Sequence, residues 1–161
     1  MYIVFSTNNS WPSKLIRMFL RSKYSHIAIC GYSKDFSSWL ITEASHGEVK
    51  PVELENWLVK NEVIKLFKWH KEPSKIQLMW LAKQFDKSYA FIALPLIALG
   101  FYYGDGDLKH ICSELVGKFF GFSNRENVTP KDIEAIILKR IEFSQVHIDE
   151  LYLKVNHVDD I

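Results

Sequence analysis

The chain has 161 residues, of which 48% are hydrophobic and 24% are charged, and its formal net charge is +1. These values exclude an intrinsically disordered protein, and a content of only seven glycines and five prolines excludes a collagen-like or linker-like one. A chain of this length buries about 70% of its unfolded surface, so we expect one domain over residues 1–161. With 20 basic and 19 acidic residues, composition gives no electrostatic case for a nucleic-acid partner.

Cysteine content, the N-terminal segment and apolar runs indicate the compartment of the protein and its relation to membranes. Two cysteines are too few for a secreted disulfide scaffold, and the N-terminus lacks a basic segment followed by a long apolar run. We therefore expect a reduced, cytoplasmic protein. The most apolar segment, 89–103, is shorter than the ~20 residues of a spanning helix and contains Pro95. It predicts a buried core helix, with a membrane-docking surface as the alternative.

In chain order, the pattern first predicts a buried strand over 1–6 and a helix over 12–20 that Ser10 or Ser13 can cap. Small and branched residues then predict strands over 25–31 and 38–44. A turn at 45–47 follows the second of these. The first third of the chain is therefore expected to supply most of a sheet.

The middle of the chain predicts a short helix over 52–59, a strand over 62–69 and an amphipathic helix over 73–87. We expect the aromatic and apolar stripe of this last helix to belong to the core. The Asp-rich segment 104–107 lacks the twelve-residue calcium-loop pattern and is interpreted as a turn.

The last third predicts a helix over 111–120 ended by Gly121, and a second helix capped by Thr129 with Pro130 at its first position. Ile133, Ile136 and Ile137 form the apolar face of that second helix. A late strand is predicted over 146–155. The elements together predict an α+β fold with a small, mostly antiparallel sheet packed against helices.

Cys112 is the first candidate for chemistry, because it falls at the start of the predicted helix 111–120. Free backbone N–H groups and the positive end of the helix dipole stabilise a thiolate there, and the same N–H groups can hold an oxyanion. The alternative is a small buried hydrophobic residue, which the cysteine taken alone favours.

His26 and Glu43 are the candidates for the other members of a triad. His26 begins an apolar strand and shares one face with Ala28 and Cys30. At the strand end, its imidazole can point into a cleft. Glu43 is a carboxylate embedded in an apolar strand, which is costly unless it is paired. The alternatives are a solvent-bonded histidine and an exposed edge position for Glu43, and Cys30 is assigned to the core.

Three segments together resemble the circularly permuted branch of the NlpC/P60 papain-like superfamily, and within it the YiiX/YaeF-like cysteine peptidases and amidases. They are Tyr24-Ser25-His26-Ile27-Ala28-Ile29, Thr42-Glu43-Ala44 and Ile111-Cys112-Ser113-Glu114-Leu115-Val116. In that branch the histidine strand precedes the nucleophile helix, as it does here. Two features depart from the family: residues 1–7 lack its usual Gly-Asp pair, and the tail beyond Arg140 has no counterpart.

The resemblance implies a permuted papain-like fold and a thiol hydrolase. In it, Cys112 is the nucleophile, His26 the general base and Glu43 the residue that orients His26. The backbone N–H of Cys112 would contribute to the oxyanion hole, and Tyr24 and Ser113 would line the oxyanion or substrate site. We expect no metal and no cofactor, since the chain has no zinc spacing of Cys and His and no phosphate loop.

The substrate expected from the resemblance is an amide bond in a peptide, an isopeptide or a peptidoglycan stem peptide, in a protein of bacterial or phage origin. One alternative is a lipid acyltransferase or phospholipase with the same nucleophile, for which segment 89–103 would contact a membrane surface. The other is a binding module on a catalytically retired scaffold.

Overall fold

A central strand, buried along its whole length, organises the chain: β1 (Tyr2–Thr7). The computed structural model describes residues 1–45, 48–85, 88–89, 109–110, 112–122 and 128–156. The remaining strands are β2 (His26–Ser33), β3 (Ser38–Ser45), β4 (Glu48–Glu53), β5 (Glu62–Trp69), β6 (Ser88–Tyr89), β7 (Lys109–His110) and β8 (Phe143–Val146). The helices are α1 (Trp11–Leu20), α2 (Leu54–Leu58), α3 (Lys75–Ala82), α4 (Cys112–Phe119), α5 (Pro130–Ile137) and α6 (Asp149–Asn156).

The strands form one sheet in the order β7-β6-β4-β3-β2-β1-β5-β8. Every neighbouring pair is antiparallel except the short β6–β7 pair, which is parallel. The predicted α+β class with a mostly antiparallel sheet is therefore confirmed.

The sheet separates two apolar layers, because successive side chains of a strand point to opposite faces. On one face, Ile3 and Phe5 of β1 pack in a layer with residues of α4 and α5. On the other face, Tyr2 and Val4 pack with residues of α2 and α6. Helices therefore cover both faces of the central strands.

Local signals in the sequence set the ends of several helices, as predicted. Ser10 caps α1 by accepting the backbone N–H of Ser13. Thr129 and Asp132 form a reciprocal capping box at the start of α5. Gly121 follows α4 with a φ of 65°, a left-handed conformation that glycine adopts without steric cost.

The prediction of a helix over 52–59 is partly wrong. Residues 48–53 form β4, which pairs with β3 from Ser45↔Glu48 to Leu40↔Glu53. The pairing with β3 overrides the local preference of this segment, so only Leu54–Leu58 is helical.

The helix predicted over 73–87 is shorter than expected. It begins at Lys75 because Ser74 caps it, and it ends at Ala82. The prediction that its apolar stripe belongs to the core is also wrong in part. Leu81 is buried, but Ile76 and Met79 are exposed, because only one side of α3 lies against the rest of the protein.

The late strand predicted over 146–155 is wrong as well. Strand β8 ends at Val146, and α6 follows it. Asp149 and Glu150 lie in the first turn of α6, where acidic side chains stabilise a helix. Leu151 is fully buried in the layer around Tyr2, so the segment beyond Arg140, which the family resemblance does not account for, packs on the sheet.

Three predictions fall wholly or largely outside the described residues: the turn at 45–47, the core helix over 89–103 and the turn over 104–107. Among the described residues, no helix has the length and apolar character needed to cross a membrane.

Helix α6 supplies a test of how firmly the tail is joined to the sheet. We expect Leu151→Ala to lower the free energy of unfolding by about 2–5 kcal/mol, because it leaves a cavity beneath a fully buried side chain. The matched control is Leu153→Ala on the same helix, where the side chain is 53% exposed and the loss should stay within about 0.5 kcal/mol. Urea denaturation measures both, and equal losses would show that the tail is not part of the cooperative unit.

Candidate active site

A local separation of β2 and β3 creates the space for the site. The register between these strands ends at Ile29↔Thr42, although β2 begins at His26 and β3 continues to Ser45. At this end β2 remains paired with β1, and β3 remains paired with β4. The gap lets side chains from the two strands meet between them.

His26 and Glu43 meet in this gap. The Nε2 atom of His26 lies 2.9 Å from Oε2 of Glu43, and their side chains are only 14% and 8% exposed. A carboxylate buried to this extent needs hydrogen-bond donors. Because Nε2 is engaged by Glu43, Nδ1 is the ring nitrogen that remains for another partner.

Helix α2 brings a second donor to the same carboxylate oxygen. The indole Nε1 of Trp57 donates to Oε2 of Glu43 at 2.7 Å, and Trp57 is buried. Two N–H groups therefore converge on one oxygen atom, which fixes the orientation of the carboxylate. The sequence reasoning missed Trp57. The available signal was a tryptophan in a short predicted helix, since a buried indole N–H requires an acceptor.

Cys112 reaches the other side of His26 from helix α4. Cys112 is the first residue of this helix, and α4 packs against both β2 and β3. The cysteine side chain is fully buried, and its interaction with the His26 ring raises the pKa of the imidazole. The structure thus brings together the three residues predicted as nucleophile, base and orienting acid.

The side chains that surround the His26–Glu43 pair come from both faces of the sheet. Cys112 belongs to the layer that includes Ile27 and Ile29, whereas Trp57 belongs to the layer that includes Ala28 and Cys30. They meet at His26 because it is the first residue of β2, where the strand no longer separates the two layers.

The electrostatics of the site favour a charged imidazole. Burial lowers the pKa of His26, but its interactions with Cys112 and Glu43 raise the pKa by more, to about 10 from an ordinary value of 6.5. The imidazolium is therefore present at neutral pH and is lost only as the pH rises through about 10. A cation next to a thiol stabilises the thiolate form.

Cys30 lies in a different environment. It is fully buried in the layer around Trp57, as the sequence predicted, and burial raises its pKa to about 12. The chain therefore holds two equally buried thiols, of which Cys112 is the one that interacts with His26.

Tyr24 does not present its hydroxyl to Cys112. The hydroxyl donates to Oε2 of Glu134 at 2.5 Å, and Lys65 binds the other oxygen of that carboxylate. Burial and this hydrogen bond raise the pKa of Tyr24. The tyrosine proton is thus engaged on α5, and only the ring remains for a lining role.

Ser113 also directs its side chain away from the thiol. Its fully buried hydroxyl donates to the backbone carbonyl of Val128, which ties α4 to the segment before α5. The two helices approach closely, since a Cβ on Gly117 would lie 3.2 Å from Ile133. The side chain of Ser113 therefore supports the position of α4, and its backbone N–H is the part that lies near the nucleophile.

Comparison with known proteins identifies the fold. No protein-family model matches the chain, and no curated protein matches it. The structure is similar to the crystal structure of metalloprotein YiiX from Escherichia coli O157:H7 (DUF1105), with a TM-score of 0.60 and 16% sequence identity. The similarity covers 91% of this chain and 94% of that chain. It shows a YiiX-like fold.

The described residues do not fit a metal centre. No group of three or more His, Cys, Asp or Glu side chains among them is arranged to hold a metal ion. In addition, Oε2 of Glu43 already accepts from the Trp57 indole and lies at hydrogen-bond distance from His26.

Trp57→Phe removes the indole N–H and keeps an aromatic ring. We expect the free energy of unfolding to fall by about 1.5–3 kcal/mol, because the carboxylate of Glu43 loses a charge-assisted hydrogen bond inside the protein. Trp11→Phe is the matched control, since Trp11 is 72% exposed and the same substitution there should change the stability by less than about 0.5 kcal/mol. Urea denaturation measures both losses. If the loss for Trp57→Phe is no larger than the loss for Trp11→Phe, the hydrogen bond between Trp57 and Glu43 does not stabilise the protein.

Proposed function

We propose that the protein is a thiol hydrolase that cleaves an amide bond through an acyl-enzyme on Cys112. The observation that carries the proposal is the placement of His26 between its two partners. Its ring is hydrogen-bonded to Glu43 through Nε2, and it also interacts with Cys112. This is the arrangement of a nucleophile, a base and an orienting acid.

In the proposed first step, the thiolate of Cys112 attacks the substrate carbonyl carbon and forms a C–S bond. The negative charge moves to the carbonyl oxygen, which the free backbone N–H groups at the start of α4 stabilise. Collapse of this intermediate breaks the C–N bond, and the His26 imidazolium gives its proton to the leaving amine.

In the proposed second step, water attacks the thioester while neutral His26 accepts a proton from it. The C–S bond then breaks, the carboxylic acid is released and the Cys112–His26 pair is restored. Glu43 keeps the imidazole oriented through both steps, and Trp57 keeps Glu43 oriented. No redox partner is required.

The order of the residues along the chain supports a permuted papain-like architecture. His26 and Glu43 precede Cys112, on a YiiX-like fold that covers most of the chain. Peptides, isopeptides and peptidoglycan stem peptides form the substrate class that we propose to screen first. A catalytically retired binding module would keep the same side chains for packing. The reactivity of Cys112 therefore distinguishes a thiol hydrolase from a retired module.

Alkylation by iodoacetamide tests the reactive pair. We expect the rate constant of Cys112 at pH 6 to stay within about threefold of its value at pH 8, because His26 remains charged over that range. A free thiol of ordinary pKa would have about seventy-fold less thiolate at pH 6 than at pH 8. Peptide mass spectrometry resolves the two cysteines, and Cys30 serves as the internal control because it is equally buried.

The fast alkylation at pH 6 should disappear with the base. In His26→Ala, we expect the rate of Cys112 alkylation to fall toward that of Cys30. If the folded wild-type protein alkylates Cys112 no faster than Cys30 at every pH, the thiol is not activated, and a retired binding scaffold is the correct function.

Turnover of a substrate found in that screen tests the individual roles. Cys112→Ser should abolish hydrolysis and leave the fold intact, because the substitution is nearly isosteric. His26→Ala should lower kcat more than Glu43→Gln, since packing and the remaining hydrogen bonds retain part of the orientation of the imidazole. Cys30→Ala is the control and should retain activity. Activity that survives Cys112→Ser would identify a different nucleophile.

A further inference from the structure

Helix α1 exposes a mixed apolar and basic surface that neither the fold nor the candidate site uses. Its inner side holds Ser13 and Ile16, which are buried. On its outer side, Trp11 is 72% exposed and Met18 is 63% exposed, and Phe19 lies at the edge of the same stripe. Large apolar side chains grouped on one exposed face are typical of an interaction surface.

A basic stripe runs beside the apolar one. Lys14, Arg17 and Arg21 follow at spacings of three and four residues, which places them on one side of the helix, and Lys23 comes shortly after. In the part of the chain that the structure describes, none of these four side chains forms an ion pair with a carboxylate.

The charge of the surrounding segment has one sign. The sequence contains no aspartate or glutamate before Asp35, so all 19 acidic residues lie in the remainder of the chain. A net charge of only +1 therefore conceals a strongly basic N-terminal segment. Such a segment attracts an anionic surface and is not neutralised by its own neighbours in sequence.

We propose that the outer face of α1, defined by Trp11, Lys14, Arg17 and Met18, docks on the surface of an anionic phospholipid bilayer. The tryptophan and methionine would insert at the level of the headgroups, and the basic side chains would bind lipid phosphates. Helices that lie in the membrane interface combine apolar side chains that enter the bilayer with basic side chains that bind anionic lipids.

A bilayer fits this face better than a nucleic acid does. Proteins that bind single strands stack the bases on aromatic side chains within a basic groove, whereas the apolar side chains of α1 lie on the outer face of a helix. A bilayer interface accommodates both the charges and the apolar stripe. Docking on a bilayer therefore accounts for Met18 as well as Arg17.

Helix α1 is firmly attached to the strand that carries His26. The hydroxyl groups of Ser13 and Ser25 lie 2.5 Å apart in a buried cluster that includes Thr7. Ser25 immediately precedes His26 in the sequence. A bilayer bound at α1 would therefore be held by an element that is fixed next to the start of β2.

Vesicle flotation tests the proposal on the full chain. Vesicles of phosphatidylcholine alone are compared with vesicles that contain about 30% phosphatidylglycerol, in ~0.1 M and ~0.5 M NaCl. We expect the protein to float with the anionic vesicles at low salt, to float much less at high salt, and to remain unbound with the neutral vesicles. Lys14→Gln combined with Arg17→Gln should lower the partition coefficient roughly thirty-fold, and Trp11→Ser by about tenfold or more.

Matched controls separate the helix from general surface effects. Phe36→Ser removes an aromatic side chain that is as exposed as Trp11, at 72%, from the turn between β2 and β3. Lys71→Gln combined with Lys75→Gln removes two exposed charges elsewhere. Both controls should float like the wild type, and circular dichroism should show that all variants are folded.

Four results would overturn the proposal. They are the absence of flotation with anionic vesicles, flotation unaffected by the α1 substitutions, binding of duplex DNA or RNA without flotation, and a dimer in sedimentation that Trp11→Ser dissociates while the vesicles remain unbound. Flotation measures no catalysis. Its outcome is therefore independent of whether Cys112 is a nucleophile.

Discussion

The buried carboxylate of Glu43 is the constraint on which the site depends. A carboxylate that is 8% exposed is costly unless N–H donors surround it. His26 and Trp57 meet that requirement on a single oxygen atom, at 2.9 and 2.7 Å. Each donor comes from a different element, so β2, β3 and α2 must be correctly placed before Glu43 can be buried. The histidine is thereby held in the orientation in which its other nitrogen can meet a thiol.

The position of the site follows from a property of the sheet. Side chains on one strand alternate between two faces, and a paired strand keeps those faces apart. Cys112 and Trp57 lie in different layers, yet both reach the same cluster. The two layers come together at His26, the first residue of β2, where the pairing with β3 has already ended. At such a strand end, residues from both layers can contribute to one site.

The predictions from the sequence were confirmed where the interactions that form an element lie within a short segment. Ser10 and Thr129 cap their helices through contacts three residues away, and Gly121 follows α4 in the conformation that glycine tolerates. The predictions were wrong where distant pairing decided the outcome. The segment 48–53 joined β3 as a strand, and the tail after Val146 became a helix. The order of His26, Glu43 and Cys112 allowed the candidate triad to be named through a family resemblance.

The sequence by itself determined the α+β class, the main strands, the helix caps and the identity of three chemically capable residues. The class, the strands and the caps follow from periodicity and local hydrogen bonding, which act over a few residues, whereas the three residues were assigned as a triad through the family resemblance. Only the tertiary structure decided that the three residues meet, that Trp57 supports Glu43, and that Tyr24 binds Glu134 instead of facing the thiol. These contacts join residues that are far apart in sequence, with Tyr24 and Glu134 separated by 110 positions. Side-chain pairing over such distances is fixed by the packing of whole elements, and no local pattern encodes it.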